Sequence, residues 1–219
     1  MKPLNLILIP CKLIIVNILF LSNIYNLYAI GDHVELYDKG MSLIAKNKNQ
    51  LAIETFDQAI NVKNDFAKAY HGKAIAIGNL GNFAEALKYF DLAIKYKPDF
   101  VQSHYQKAIA LNILQNYQEA IKAYDLAIKY KPDFPRAYFL RAVSLGILGK
   151  YQEAIESYDL AIKYKPDYAE SYYGKGNILY ILKNYQEAIN SYNLAIKYKP
   201  DYNQAHLKKK HCLEYTQSK

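Results

Sequence analysis

Residues 93–99 read AIKYKPD, and the same seven letters return at 127–133, 161–167 and 195–201. Successive copies are 34 residues apart, and a fixed period of this length is typical of an array of short structural units rather than of one globular core. Counting outward from the copies divides the chain into residues 33–66, 67–100, 101–134, 135–168 and 169–202, followed by a half-block at 203–219.

Small and large apolar residues recur at fixed places within these blocks. The eighth, twentieth and twenty-seventh places hold glycine or alanine in every block, as in Gly40, Ala52 and Ala59 of the first. Large rings recur among them, and apolar residues three or four apart are typical of amphipathic helices. Turn-forming pairs such as Gly81-Asn82 interrupt each block near its middle. Each block therefore predicts two helices in close contact.

The proline of each copy predicts where the second helix ends. Pro98 lacks an N–H and disfavours the α conformation in the residue before it. Lys95 and Lys97 lie where a cation complements a helix C-terminus. Asp99 and its equivalents lie near the start of the next helix, where we expect a carboxylate to cap free backbone amides.

This pattern resembles the tetratricopeptide repeat family over about residues 33–219. Block five has the family's aromatic residue in place four (Tyr172), its small residue in place eight (Gly176) and its Pro200. The first block departs most, with Leu36 in place four and Asn64 where the proline should be. The resemblance implies an all-α superhelix, or solenoid, of five helix-turn-helix repeats of 34 residues. The half-block at 203–219 would be a C-terminal capping helix.

The resemblance also implies where a partner binds, because in this family the first helix of each repeat lines the concave face, mainly through places two, five, nine, twelve and thirteen. Here those helices carry rings in place five beside aliphatic residues in place nine, which together predict an apolar groove for a peptide segment. The predicted groove residues are Tyr37, Met41, His71, Ile75, Tyr105, Ile109, Asn112, Phe139, Val143, Tyr173 and Asn177. The alternative is that the place-five rings only support their helices.

Some chaperone-associated members hold a C-terminal carboxylate with a charged clamp. That clamp needs Lys in place five and Asn in place nine of an early repeat, where this chain has Tyr37 and Met41. We therefore expect no carboxylate clamp of that kind.

The sequence contains no recognisable catalytic or metal-binding motif. It lacks G-x-S-x-G, H-E-x-x-H, paired C-x-x-C and a complete phosphate loop. His206 and His211 are five residues apart, which places them on different faces of a helix. We expect no catalytic residues, no metal site, no cofactor and no enzyme activity. The expected function is a scaffold for an unidentified protein or peptide.

A net charge of +8 raises nucleic-acid binding as an alternative function. Eight of the 28 basic residues, however, recur at helix ends like Lys95 and Lys97, where they compensate helix dipoles. We therefore expect no nucleic-acid partner. A structural, self-associating role in envelope assembly is the other alternative.

A second basic column lies in place seven of the first helices. Asp57 and its equivalents lie in place twenty-five of the same blocks, so we expect ion pairs within each repeat. The basic residues of this column are Lys39, Lys73, Lys107, Arg141 and Lys175, and the acidic ones are Asp57, Asp91, Asp125 and Asp159.

Residues 1–31 precede the repeats and have a different composition. Lys2 and Lys12 lie before an uncharged stretch, residues 13–31, whose apolar centre reads LIIVNILFL. This predicts an export signal with Ala29 near the cleavage point. The alternatives are an uncleaved N-terminal membrane anchor and a buried helix of a cytoplasmic protein. The first two interpretations place the repeats outside the cytoplasm, in a periplasmic, secreted or membrane-anchored form. Membrane contact is expected only through an uncleaved residue 1–31 segment.

Overall fold

The structure is a computed structural model that describes residues 33–217. Within this range the chain forms eleven helices and no strand. The helices are α1 (33–45), α2 (Asn49–Val62), α3 (Ala67–Asn79), α4 (Phe83–Tyr96), α5 (Val101–Ile113), α6 (Tyr117–Tyr130), α7 (Pro135–Ile147), α8 (Tyr151–Tyr164), α9 (Ala169–Ile181), α10 (Tyr185–Tyr198) and α11 (Asn203–Gln217). The predicted export signal or anchor at residues 1–31 lies outside the described residues.

The helices pack in chain order. From α2 onward each helix contacts the next, and the most extensive contacts join the two helices of a hairpin, as in α3 with α4 and α7 with α8. First helices of neighbouring hairpins also touch, as in α3 with α5 and α7 with α9. These nearest-neighbour contacts are those of a solenoid. The predicted all-α array of helical hairpins is confirmed.

The small-residue columns allow the helices to approach closely. The alanines of the eighth, twentieth and twenty-seventh places are buried in every repeat. In the fifth repeat the ring of Tyr192 packs directly on the backbone of the eighth place, because a Cβ added at Gly176 would lie 2.6 Å from Cε1 of Tyr192. The buried rings of the twenty-fourth place, such as Tyr124 and Tyr192, fill the space that the small residues leave. Each hairpin core therefore includes one large ring that packs against small residues, together with aliphatic side chains such as Leu111 and Leu145.

The turn inside each hairpin contains one residue in the left-handed region. Glycine occupies this position twice, as Gly81 (φ 87°) and Gly149 (φ 73°). The other three turns use residues with a side chain, namely Asn47 (φ 56°), Gln115 (φ 60°) and Lys183 (φ 63°). The shared conformation shows that all five hairpins turn in the same way, although glycine would be less strained at the last two positions.

The aspartates after the prolines do not cap the following helices, which corrects the expectation from the sequence. Helices α5, α7 and α9 begin after an aromatic residue, Phe100, Phe134 and Tyr168 respectively, and none has a side-chain cap. The cap position is occupied by a ring because that ring packs against the place-five ring of its own repeat. Among the described helices α2 to α10, α4 alone has a side-chain cap. Asn82 precedes α4, and its Oδ1 accepts a hydrogen bond from the backbone N–H of Glu85 at 3.3 Å.

The predicted ion pairs form, but they join neighbouring repeats rather than residues of one repeat. Lys73 Nζ lies 2.5 Å from Asp57 Oδ1, and Lys107 Nζ lies 2.6 Å from Asp91 Oδ1. Arg141 with Asp125 and Lys175 with Asp159 repeat this contact at 2.6 Å. The second helix of each repeat packs against the first helix of the next, which brings each aspartate to the following repeat. Lys39 has no ion pair within residues 33–217.

Candidate functional site

The place-five rings lie in a repeated arrangement of three side chains. Each contacts the place-twenty-four ring and the last ring of its own repeat. Tyr105 lies 6.1 Å from Tyr124 and 4.8 Å from Phe134 between ring centroids, and Phe139 lies 5.9 Å from Tyr158 and 5.2 Å from Tyr168. Tyr37, His71 and Tyr173 have the same two kinds of neighbour. These rings therefore support their helices, and only their remaining exposed edges are available to a partner.

A cavity of about 810 Å³ lies between α5, α7 and the start of α9. It brings together four of the predicted groove residues, which are Tyr105, Ile109, Asn112 and Phe139. Its other lining residues are Ile113, Tyr124, Pro135, Arg136, Leu140, Lys165, Tyr168 and Glu170. Its volume lies in the range that ligand sites in proteins usually have, about 300–1,000 Å³. We call it the central cavity.

The remaining predicted groove residues lie elsewhere along the array. Ile75 lines a second cavity of about 400 Å³, which Ile109 also lines. Tyr37 and Met41 pack on the core of the first hairpin, and Val143 packs on the core that contains Tyr158. Tyr173 packs against Tyr192 in the last hairpin, near Asn177.

His71 differs from the other place-five residues because it is only 7% exposed. Its Nδ1 is 2.9 Å from Ser103 Oγ in the next repeat, and its ring lies between Phe90 and Phe100. Burial lowers the pKa of His71 to about 4, so the ring is neutral at pH 7. Little of this side chain is left for contact with a bound segment.

The two predicted asparagines hold the phenol groups beneath them. Asn112 Nδ2 donates to the Tyr124 hydroxyl at 3.1 Å, while Asn112 Oδ1 accepts from Ser144 Oγ at 2.9 Å. Asn177 Oδ1 accepts from the Tyr192 hydroxyl at 2.9 Å. Burial raises the pKa of Tyr124 and of Tyr192, so both phenols stay protonated, and Tyr192 has the proton that it donates to Asn177. Asn112 thus fixes one wall of the central cavity.

Two kinds of site residue were missed by reasoning from the sequence. The first is the ring that follows each proline-aspartate pair, because Phe134 and Tyr168 complete the arrangement around the place-five rings. The second is the lysine before each proline, since Lys131 Nζ lies 5.5 Å from the Phe134 centroid and Lys165 Nζ lies 4.8 Å from that of Tyr168. The 34-residue period was the signal for both, as these residues recur with the proline.

The described part of the chain carries no cluster of three or more histidine, cysteine, aspartate or glutamate residues that could hold a metal ion. Among residues 33–217, no helix is both long and apolar enough to cross a membrane.

Comparisons with known proteins agree with the helical arrangement. A family model described as tetratricopeptide repeat matches four overlapping stretches, residues 37–98, 71–133, 105–163 and 139–205. None of the curated proteins compared with the chain matches it significantly.

Several solved structures are similar. YrrB, described as a TPR protein with an unusual peptide-binding site, has a TM-score of 0.73 at 21% identity, over 87% of this chain and 97% of YrrB. MamA from Desulfovibrio magneticus RS-1 has a TM-score of 0.72 at 17% identity, over 78% of this chain and 97% of MamA. PilF of Pseudomonas aeruginosa has a TM-score of 0.75 at 13% identity, over 86% of each chain. At these identities the likeness shows the fold, and together with the family match it shows that this chain belongs to the tetratricopeptide repeat family.

Proposed function

We propose that this chain is a non-enzymatic scaffold that binds a protein or peptide segment in an apolar groove lined by the first helices of its repeats. The tetratricopeptide repeat fold supports protein–protein interaction in general. The observation that carries the finer proposal is the central cavity, whose rings and aliphatic side chains come from several helices. YrrB, which has the same fold, is described as having a peptide-binding site.

The chemistry of the central cavity suits a segment with large apolar side chains. Tyr105 and Phe139 are held in place by ring contacts on two sides, so they would lose little conformational entropy when a partner binds. Ile113 is 50% exposed and lines the same cavity, which leaves an aliphatic surface for a partner to cover. Aromatic side chains such as that of Tyr105 are enriched among the residues that contribute most to binding energy at protein interfaces.

Capture by cross-linking from native cell extract tests this proposal, using the full chain and two matched variants. Ile113→Asp places a charge in the central cavity. Ile181→Asp changes the same place of α9, is 52% exposed and lies outside the cavity lining. We expect a partner to be recovered by the wild type and by Ile181→Asp and to be lost with Ile113→Asp. Equal recovery by both variants would move the binding site away from the central cavity.

We also propose that the repeats act outside the cytoplasm, on the evidence of the apolar stretch after Lys2 and Lys12. Fractionation of cells expressing the 219-residue chain tests this, with mass spectrometry of its N-terminus. Loss of about residues 1–31, or an intact chain in the membrane fraction, is expected. An intact chain in the soluble cytoplasmic fraction would contradict the proposal.

A further inference from the structure

The central cavity contains two cations without acidic partners. Arg136 and Lys165 both line it and are exposed, and neither forms an ion pair within residues 33–217. The acidic residue of the lining, Glu170, is already engaged, because its Oε1 lies 3.7 Å from Lys199 Nζ. The cavity therefore presents more positive than negative charge to whatever enters it.

The position of Arg136 is unfavourable for the helix that carries it. Arg136 is the second residue of α7, directly after Pro135 at the helix start. The positive end of the helix dipole lies there, so a cation at this position opposes helix stability. Gln102 and Glu170 occupy the equivalent place in α5 and α9, and Lys68 occupies it in α3. A cation at this place therefore also occurs away from the cavity, and the positive charge of the cavity rests on Arg136 and Lys165, which have no ion pair within residues 33–217.

Two phenol groups add further hydrogen-bond donors. Tyr105 and Tyr168 line the cavity, and in the part of the chain that the structure describes neither hydroxyl makes a hydrogen bond. Burial raises the pKa of both phenols, and the charge of Arg136 acts in the opposite direction on both. Glu170 raises the pKa of Tyr168 as well. Arg136 lines the same cavity as both hydroxyls, so the cavity offers a guanidinium and two phenol groups as donors to an anionic group.

The opposite part of the lining is apolar, with Ile109, Ile113, Phe139 and Leu140. We propose that the central cavity takes an acidic peptide segment in which a large apolar side chain is next to an aspartate or glutamate. The apolar side chain packs between α5 and α7, and the carboxylate binds Arg136. The proposal rests on the groove function proposed above and specifies the chemistry of the partner.

A peptide-display selection tests the proposal without knowledge of the natural partner. A random twelve-residue library, with both peptide ends joined to flanking sequence, is selected on the immobilised 219-residue chain. We expect the recovered peptides to be enriched in aspartate and glutamate next to leucine, isoleucine, phenylalanine or tyrosine. The best peptide is then synthesised with an amidated C-terminus, beside an analogue whose carboxylates are replaced by amides.

Affinities of these two peptides are measured for the wild type, Arg136→Gln and Lys88→Gln. Lys88 is an exposed lysine of α4 outside the central cavity, and its substitution removes the same charge. We expect the acidic peptide to bind the wild type about three- to tenfold more tightly than its analogue, a difference that weakens as salt is added. Arg136→Gln should remove this difference and leave the affinity of the analogue unchanged, whereas Lys88→Gln should preserve it.

Each other result overturns the proposal in a distinguishable way. Peptides that lose binding with Ile113→Asp but show no preference for acidic residues would refute it and leave the groove function standing. If acidic peptides bind only with a free C-terminus, the group that the cavity binds is the terminal carboxylate of the peptide and not an aspartate or glutamate side chain. No selected peptide, or peptides insensitive to Ile113→Asp, would overturn both proposals.

Discussion

Two buried serines occupy the same place of the first helix in the third and fifth repeats but have different partners. Ser103 Oγ is 2.9 Å from His71 Nδ1 of the preceding repeat. At the matching position before Ser171 the chain has Phe139, which carries no polar atom. Ser171 Oγ is accordingly buried without a hydrogen-bond partner among residues 33–217. A single side chain therefore decides whether this buried hydroxyl is satisfied.

The serines predict opposite effects of the same substitution. Ser171→Ala removes an unpartnered hydroxyl, so we expect stability to be unchanged or raised by up to about 1 kcal/mol. Ser103→Ala leaves His71 Nδ1 unpaired and should cost about 1–2 kcal/mol. Ala69 and Ala137 already hold this place in other repeats. Urea unfolding of both variants measures the difference, and equal losses in the two would contradict the assignment.

His71 predicts a pH-dependent loss of stability. Its pKa is about 4 in the folded chain against an ordinary value of 6.5, so the unfolded chain binds the proton more readily. The contribution of neutral His71 to the free energy of unfolding is fully present above pH 6.5 and is lost as the pH falls toward 4. At pH 5 about 2 kcal/mol of it is lost.

Thermal or urea unfolding from pH 7.5 to 4.5 measures this loss of stability in the wild type and in His71→Tyr. The substitution introduces the residue type that Tyr37 and Tyr105 supply at the same place of their repeats. The variant should show a smaller decline over the same range. An identical decline in both proteins would assign the effect to other groups.

At the scale of elements, the hairpin turns impose one backbone conformation on several residue types. Gly149 has φ 73°, and an added Cβ would meet no atom within 4 Å, so only backbone strain opposes a side chain there. Gly149→Ala should therefore cost about 1–2 kcal/mol. The converse change, Gln115→Gly, relieves the same strain and should be neutral or stabilising by up to about 1 kcal/mol. Denaturant unfolding measures the change in stability of each variant relative to the wild type. A destabilised Gln115→Gly would show that its side chain has a role besides the turn.

Much of the element structure could be predicted because it depends on local rules. Proline and turn residues mark the helix ends, and the small places mark close helix contacts. The sequence could not show whether each aspartate pairs with the basic residue of its own repeat or with that of the next. Asp57 is 16 residues from Lys73 and 18 from Lys39, so the two separations are nearly equal. That choice depends on how α2 packs against α3. Likewise, Asp99 does not cap α5, because the ring of Phe100 takes the cap position for packing.

At the scale of the whole molecule, the central cavity is a product of stacking. Its lining comes from α5, α6, α7 and α9 and from the loop before α9, so no single hairpin could form it. The resemblance to the repeat family pointed to Tyr105, Ile109, Asn112 and Phe139, which the cavity brings together. It also gave places two and thirteen, which Arg136 and Ile113 hold, as lining places, although neither was among the predicted groove residues. It did not indicate Lys165, because the role of that residue depends on how the loop before α9 packs beside α5 and α7.

Site-specific photo-cross-linking tests the central claim, the binding of a segment in the central cavity, most directly. A photoreactive phenylalanine derivative replaces Ile113, Ile181 or Leu160 in the full chain, and each protein is irradiated in native cell extract. Leu160 is an exposed residue of α8, and like Ile181 it lies outside the cavity lining. We predict a discrete cross-linked product from the Ile113 position and none from the other two. Products from Leu160 or Ile181 without one from Ile113 would contradict the account.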